Sequence, residues 1–186
     1  ELAYVYEAQL KDLKAAARAY RAAFREQPDQ RLNCALRAQQ LFVRVDEPDR
    51  ALAVLDQAIA GAPEERRGEL RTNRAHILAL RGETAEAIEE YERALRLNDA
   101  LPTAHAALGR LLFARGQYDA AVPHLETAGK TLSSPKERES CCYLAERALD
   151  KLGLGRRRTG TEWRAVTPEL LDEAARGEAA PVGTAP

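Results

Sequence analysis

Histidine and cysteine are the side chains that most readily bind transition metals or act as nucleophiles, and this sequence holds three of each. None of His76, His105 and His124 is separated from another histidine, or from a cysteine, by the spacing that a zinc site requires. No glycine-rich phosphate loop follows a strand, because the sequence predicts no strands. We therefore expect neither a metal site nor a cofactor site.

The adjacent Cys141 and Cys142 could form a redox pair, but neighbours on a helix point to different faces. The simpler interpretation is one buried cysteine beside one half-exposed cysteine. With Cys34 alone elsewhere, the cysteines form no disulfide framework, which favours a reducing compartment and so the cytoplasm over export. No nucleophile, base and acid come together in the sequence, so we expect no enzyme. A helical enzyme that uses Cys141 or Cys142 is the alternative.

The charge balance of the chain argues against a protein that coats nucleic acid. The sequence has 28 basic and 29 acidic residues, a net charge of −1, whereas affinity for nucleic acid comes mostly from neutralising phosphates. No apolar run approaches the roughly 18 residues that a membrane span needs. The chain opens at Glu1 in what reads as a helix and contains no methionine. We therefore expect a piece of a longer polypeptide or a part of a larger complex.

Small residues recur with a period close to 34 residues, and each is followed by a larger apolar residue and then by a second small residue. The first small residues are Ala16, Ala51, Ala87 and Ala121, the larger ones Tyr20, Leu55, Tyr91 and Leu125, and the second small ones Ala23, Ala58, Ala94 and Ala128. Their spacing places all three on one helical stripe, where small residues let two helices approach closely. Such a period is typical of a helix–turn–helix repeat.

A segment that predicts a partner helix precedes each of the last three stripes, and a short polar or glycine turn joins the two helices. The partner helices are expected at residues 33–44, 70–81 and 103–115, with turns at Asp46-Glu47-Pro48, Gly82-Glu83 and Gly116-Gln117. The predicted repeat domain, 1–153, has units of about 1–31, 32–67, 68–101 and 102–133. A helix that begins after Ser134 and ends at Gly153 would cover the last unit as a cap, 134–153. A tail over 154–186 follows, with one short helix near 167–176.

The segment from Gly82 to Leu95 resembles the commonest form of the tetratricopeptide repeat, and Leu108-Gly109 resembles the leucine–glycine pair of that family. The family's small residues at its eighth, twentieth and twenty-seventh positions correspond to Ala75, Ala87 and Ala94, and then to Gly109, Ala121 and Ala128. The resemblance covers residues 1–150 and is strongest over 68–130. It implies an all-α fold, a right-handed α-solenoid of helix pairs with a C-terminal capping helix, and a role in binding other proteins.

The sequence departs from the family pattern at a position that packs helices together. The family's fourth-position tryptophan is replaced by Ala35, Arg71 and His105. For His105 this substitution predicts a half-buried structural role.

The sequence also allows three predictions about residues of the second helices. Pro123 removes a backbone hydrogen bond and crowds the preceding turn, so we expect a kink or a late helix start. His124 is expected on the outer face. The pair Glu89-Glu90 is most simply interpreted as part of a solvated helix face.

The resemblance also implies which first-helix residues line the concave groove of the repeats. They are Arg37, Gln40 and Arg44, then Thr72, Asn73 and His76, then Ala106, Arg110 and Phe113. This face would be polar and positive with one aromatic ring, and arginine forks suit the carboxylates of an acidic peptide. One subtype of the family grips C-terminal peptides with a set of lysine, asparagine and arginine residues. Of this set, only the asparagine has a counterpart in this sequence, Asn73.

Beyond the cap, Trp163, Leu170 and Leu171 form an amphipathic segment that could fold back on the groove or dock on another subunit. Packing on the exposed apolar side of the cap is the alternative. The predicted function is a protein–protein interaction module, an adaptor, assembly factor or scaffold, without a cofactor, a nucleic-acid partner or a membrane span. A regulatory or substrate-recruiting domain of a larger enzyme is the second candidate.

Overall fold

The computed structural model of the chain describes residues 2–9, 11–26 and 31–154, and in this part the fold is all-α with no strand. The helices are α1 (Leu2–Tyr4, continued by a π-helical segment over Val5–Gln9), α2 (Leu13–Glu26), α3 (Arg31–Arg44), α4 (Pro48–Gly61), α5 (Glu64–Leu80), α6 (Thr84–Leu97), α7 (Pro102–Ala114), α8 (Tyr118–Thr131) and α9 (Pro135–Lys151). The chain divides into two compact units, Glu1–Leu101 and Pro102–Pro186.

In the first unit, each helix packs against the next one along the chain, from α2 on α3 to α5 on α6. One apolar cluster runs through these helices and joins Leu41 and Phe42 of α3, Leu55 of α4, and Leu70 and Ile77 of α5. A first helix therefore shares its core with the first helix of the following pair. This is how a repeat buries an apolar face that it cannot bury alone.

In the second unit, α8 lies against both α7 and α9. A Cβ atom added to Gly109 of α7 would stand 2.7 Å from Cγ of Leu125 on α8, so the two helices approach as closely as a missing side chain allows. On the other side, Val122 of α8 packs with Ala148 and Leu149 of α9. The last helix thus covers apolar surface of α8.

The periodic small residues form the most tightly packed part of the core. The first small residue of each stripe has no exposed surface, and from the second stripe onward the larger residue and the second small residue are at most 1% exposed. In the first stripe Tyr20 and Ala23 are only partly buried. The prediction that these residues form the contact between helices is confirmed, and it holds least well at α2.

The first helices of three successive pairs end in the same hydrogen-bonded turn. After α5, the N–H of Gly82 donates to the carbonyl of Ala79 and the N–H of Glu83 to that of Leu78, each at 3.0 Å. Gly82 has a φ of +81°, the left-handed conformation that this helix end requires. Gly116 repeats the arrangement after α7, and Asp46 adopts it after α3 with a φ of +59°.

Two helices differ from their predicted extents. α5 begins at Glu64, six residues before the predicted Leu70, because the longer link after Pro63 continues the helix. α8 begins at Tyr118 and runs through Pro123 to Thr131, so of the two alternatives predicted for Pro123, a kink or a late helix start, the late start is excluded. The carbonyl of Pro123 accepts a hydrogen bond at 2.8 Å from the hydroxyl of Thr127.

Candidate interaction surface and its neighbouring side-chain pairs

Three predicted groove residues lie on α3 at positions 37, 40 and 44, spacings that place them along one side of the helix. Arg37 is already engaged by a residue of its own chain. Its Nε donates to Oε2 of Glu7 at 3.0 Å, its Nη2 contacts Oε1 of the same carboxylate, and its Nη1 donates to Gln40 at 3.2 Å. The hydrogen bond with Glu7 raises the pKa of Arg37. Arg44, at the end of α3, is exposed and makes no ion pair with another residue that the structure describes.

The three predicted groove residues of α5 have different environments. Thr72 is buried, and its hydroxyl donates to the backbone oxygen of Gly68 at 3.0 Å. Asn73 is partly buried and His76 is exposed. On α5, His76 therefore offers the most accessible side chain of the three.

The remaining predicted groove residues belong to α7 in the second unit. Ala106 is buried. Arg110 is exposed and its Nη2 lies 3.7 Å from Sγ of the buried Cys141. Phe113 is partly buried and contacts Tyr118 edge to face, with ring centroids 5.3 Å apart. Arg110 is thus the accessible polar residue of this set.

Glu90 contradicts the prediction of a solvated glutamate pair. It is 2% exposed, and three arginines surround its carboxylate. Arg71 donates to it at 3.0 Å and Arg93 at 2.6 Å, while Arg74 lies 3.6 Å away. Its neighbour Glu89 is exposed and pairs with Arg93 at 3.2 Å. A buried carboxylate is tolerated here because charged donors replace the water that it loses.

The ion pairs around Glu90 extend to a third helix. Nε of Arg74 donates to Oδ1 of Asp56 on α4 at 2.8 Å. Three arginines therefore share the carboxylates of Glu90, Asp56 and Glu89, so the cluster is electrically balanced. It connects α4, α5 and α6 rather than presenting free charge to a ligand.

His105 and His124 meet across the α7–α8 pair. Their Nδ1 atoms are 2.9 Å apart and their ring centroids 5.1 Å apart. The half-buried position predicted for His105 is confirmed, and the ring of His124 is partly buried as well. Burial first, and the neighbouring His105 second, lower the pKa of His124 to about 4.

The ion pair Arg71–Glu90 and the imidazole pair His105–His124 occupy the same positions of successive repeats. In each, the residue at the family's tryptophan position contacts a residue 19 positions later, on the second helix. The corresponding positions of the preceding repeat are Ala35 and Val54. Both are buried in the same apolar cluster. The constant spacing of 19 was the signal that could have identified the two contacting pairs.

The cysteines lie as expected. Cys141 is buried, and Cys142 is half-buried beside a small open cavity that Gly129 and Ala145 also line. Burial is the main cause that raises the pKa of Cys142, so its thiol is protonated at neutral pH.

Across residues 2–9, 11–26 and 31–154, no group of three or more histidine, cysteine, aspartate or glutamate side chains could hold a metal ion. None of the helices in those ranges has the length and apolar character needed to cross a membrane. Trp163, Leu170, Leu171 and the helix expected near 167–176 lie outside the described residues.

Comparison with known proteins identifies the repeat. Residues 75–114 match the family model of the tetratricopeptide repeat. No curated protein matches the chain. The fold is similar to the crystal structure of MamA, with 18% identity and a TM-score of 0.57 over 81% of this chain and 94% of that one.

A candidate kinesin light chain of Podosopora anserina, with nearly identical TPR-like repeats, is similar as well. Its identity is 21% and its TM-score 0.59, over 95% of this chain and 91% of that one. At these identities the similarity concerns the fold. Residues 75–114 are therefore tetratricopeptide repeat sequence, and the chain around them has the fold of an α-solenoid of such repeats, an architecture that serves as a protein-interaction scaffold.

Proposed function

We propose that this chain binds an acidic segment of a partner protein on the exposed side of α3 and α5 in the first unit. Tetratricopeptide folds are interaction scaffolds without a catalytic centre of their own, which supports binding over chemistry. As an adaptor or assembly factor, the chain would position that partner within a larger complex.

The observation that carries this proposal is the arginine fork between Arg37 and Glu7. Two nitrogens of the guanidinium hold both carboxylate oxygens, so the α3 surface is shaped to accept a carboxylate. Arg44 lies two helical turns further along the same side and is exposed. A partner carboxylate would pair with Arg44, and the exposed His76 of α5 would contribute a second polar contact.

In the second unit, Arg110 and Phe113 of α7 are proposed as a separate contact of the same chemical type. Docking by Trp163, Leu170 and Leu171 stays a prediction, as does the role of a domain that serves a larger enzyme.

Charge reversal tests the α3 surface. Arg44→Glu should weaken binding of a fluorescein-labelled, glutamate-rich peptide by about tenfold or more, measured by anisotropy at low salt. Arg96→Glu provides the control, since Arg96 lies on α6, is 66% exposed at its side chain and pairs only loosely with Glu92 at 4.0 Å. Both variants change the net charge by the same amount, so a general electrostatic effect would weaken both equally.

The partner itself can be found by cross-linking mass spectrometry of the native complex, with recovery compared between the two variants. Equal recovery from Arg44→Glu and from the unmodified chain would exclude the α3 surface. Equal losses from both variants would reduce the proposal to non-specific charge attraction.

A further inference from the structure

The helix that covers the last repeat, α9, ends in the same way as the first helix of a pair. The N–H of Gly153 donates to the carbonyl of Asp150 at 3.1 Å, and the N–H of Leu154 donates to that of Leu149 at 2.9 Å. Gly153 has a φ of +74°, close to the values of the turn glycines after α5 and α7. The second helices α4, α6 and α8 are instead followed by residues with extended backbone, namely Ala62, Asn98 and Leu132.

This turn determines where the chain goes next. After α5 and after α7, the second helix begins two residues beyond the turn glycine and packs back on the first helix. Because α9 ends in the same hydrogen bonds, its turn would direct the segment after Leu154 back along α9 as well. By its ending, α9 is therefore the first helix of a fifth pair.

The side of α9 that would receive such a segment is open in the described part of the chain. In α5 and α7, the residue eleven positions before the turn glycine contacts the second helix; these residues are Arg71 and His105. The counterpart on α9 is Cys142. It is only half-buried and lies beside a small open cavity.

Carboxylates and one aromatic ring lie along the same open side. Seven positions before the turn glycine, Ala75 and Gly109 are buried, whereas their counterpart Glu146 is partly exposed. Tyr143 and Asp150 are three residues before and four residues after Glu146, so they share its side of the helix. Tyr143 is 54% exposed. The open side of α9 is thus acidic with an apolar ring.

The sequence that follows the turn has the complementary character. Arg156, Arg157 and Arg158 come directly after it, next to the end of α9 that carries the two carboxylates. Trp163 follows further along. Glu162 stands where the earlier stripes have their larger apolar residue, so the segment does not repeat the small–large–small stripe of a regular second helix. Its contacts with α9 would instead come from the arginines and from the apolar residues around that position.

We propose that residues 156–171 fold back on α9 and cover its open side. The arginine run pairs with Glu146 and Asp150, and Trp163 packs beside Tyr143. The chain itself thereby closes this end of the second unit, which leaves it unavailable to a partner protein. This contact is independent of the peptide-binding surface proposed on α3 and α5.

Tryptophan fluorescence provides the first test. Trp163 is the one tryptophan of the complete 186-residue chain, so its emission reports on this segment alone. In the folded chain the emission maximum should lie at a shorter wavelength than in the urea-unfolded chain, because packing removes the ring from water. The shift should not depend on protein concentration, since the contact forms within one chain. An emission maximum equal to that of the unfolded chain, or a shift that vanishes on dilution, would overturn the proposal.

Charge reversal identifies the surface that Trp163 contacts. Glu146→Arg combined with Asp150→Arg should move the emission maximum towards that of the unfolded chain. Glu86→Arg combined with Glu92→Arg is the control, because these α6 carboxylates are exposed and the net charge changes by the same amount. Circular dichroism verifies that both double variants are folded. An unchanged maximum in the α9 variant, or an equal change in both variants, would exclude the open side of α9.

Alkylation of Cys142 gives a readout on the α9 side of the contact. The α9 double variant should increase its rate of reaction with iodoacetamide by about threefold or more, the factor expected when two exposed ion pairs that hold a cover are lost. The buried Cys34 serves as the internal reference when the sites are mapped by mass spectrometry. Leu170→Asp combined with Leu171→Asp should have the same effect from the opposite side. Equal Cys142 rates in the unmodified chain and in both variants would contradict the proposed cover.

Discussion

Glu90 shows at the scale of one residue how a side chain that the sequence predicts to be solvated can be buried in the core. Its sequence neighbour Glu89 is exposed, and both stand in a run of charged residues on α6. The difference arises from Arg71 and Arg74, which approach from α5. Helical position alone therefore cannot identify a buried charge; the partner on the opposite helix must be considered as well.

We expect Glu90→Gln to lower the free energy of unfolding by about 1–3 kcal/mol, since charge-assisted bonds are lost in a buried position. Glu89→Gln is the matched control and should change it by about 0.5 kcal/mol or less, as an exposed pair contributes little. Urea unfolding followed by circular dichroism measures both. Equal effects of the two variants would show that the arginines do not stabilise the Glu90 carboxylate.

The limits of prediction from sequence are visible in the residues that face each other 19 positions apart. The small residues of the stripes were predictable because each keeps its type through the repeats. The residues at these two positions change from Ala35 and Val54 to an ion pair and then to two imidazoles, so no residue type repeats. Which side chains meet is a property of the helix pair, and only the spacing of 19 is conserved between units.

The turn after the first helix is the clearest example at the scale of an element. Its hydrogen bonds require one residue in the left-handed conformation, which is free of steric cost only for glycine. Gly82 and Gly116 meet the requirement, whereas Asp46 adopts a φ of +59° with a side chain. The earliest of the three turns is therefore the strained one.

We expect Asp46→Gly to raise the free energy of unfolding by roughly 0.5–1 kcal/mol, because the left-handed strain is removed. The reverse change, Gly82→Asp, should lower it by a similar amount, since a Cβ atom added to Gly82 would meet no atom within 4 Å and backbone strain is the main difference. Thermal unfolding of both variants compares them. A loss of stability in Asp46→Gly would show that the aspartate side chain, and not its backbone, determines the turn.

At the scale of the whole molecule, a repeat stack needs its last apolar face covered. In the second unit α9 provides this cover, since Cys141, Ala145, Ala148 and Leu149 are at most 1% exposed. The N–H of Glu137 donates to the side chain of Ser134 at 3.4 Å at the start of this helix. The cap is thus an element with its own start signal.

Truncation measures the contribution of α9. A chain that ends at Leu132 should lose at least about 3 kcal/mol of stability or aggregate, because the apolar face of α8 becomes exposed. A chain that ends at Leu154 retains the residues that pack α9 against α8 and should therefore unfold at a clearly higher midpoint than the chain that ends at Leu132. Equal midpoints for the two truncated chains would show that α9 is dispensable.

The contact between Glu7 and Arg37 also has a thermodynamic consequence. A ligand carboxylate that competes for Arg37 must displace Glu7, and this releases one of the ties between α3 and the segment Leu2–Gln9. Linkage between two binding equilibria is reciprocal. If the bound ligand weakens the attachment of the segment by some factor, the attached segment weakens the affinity for the ligand by the same factor. The internal salt bridge therefore competes with any external acidic group, which pairs with Arg37 only if its own interaction is the stronger one.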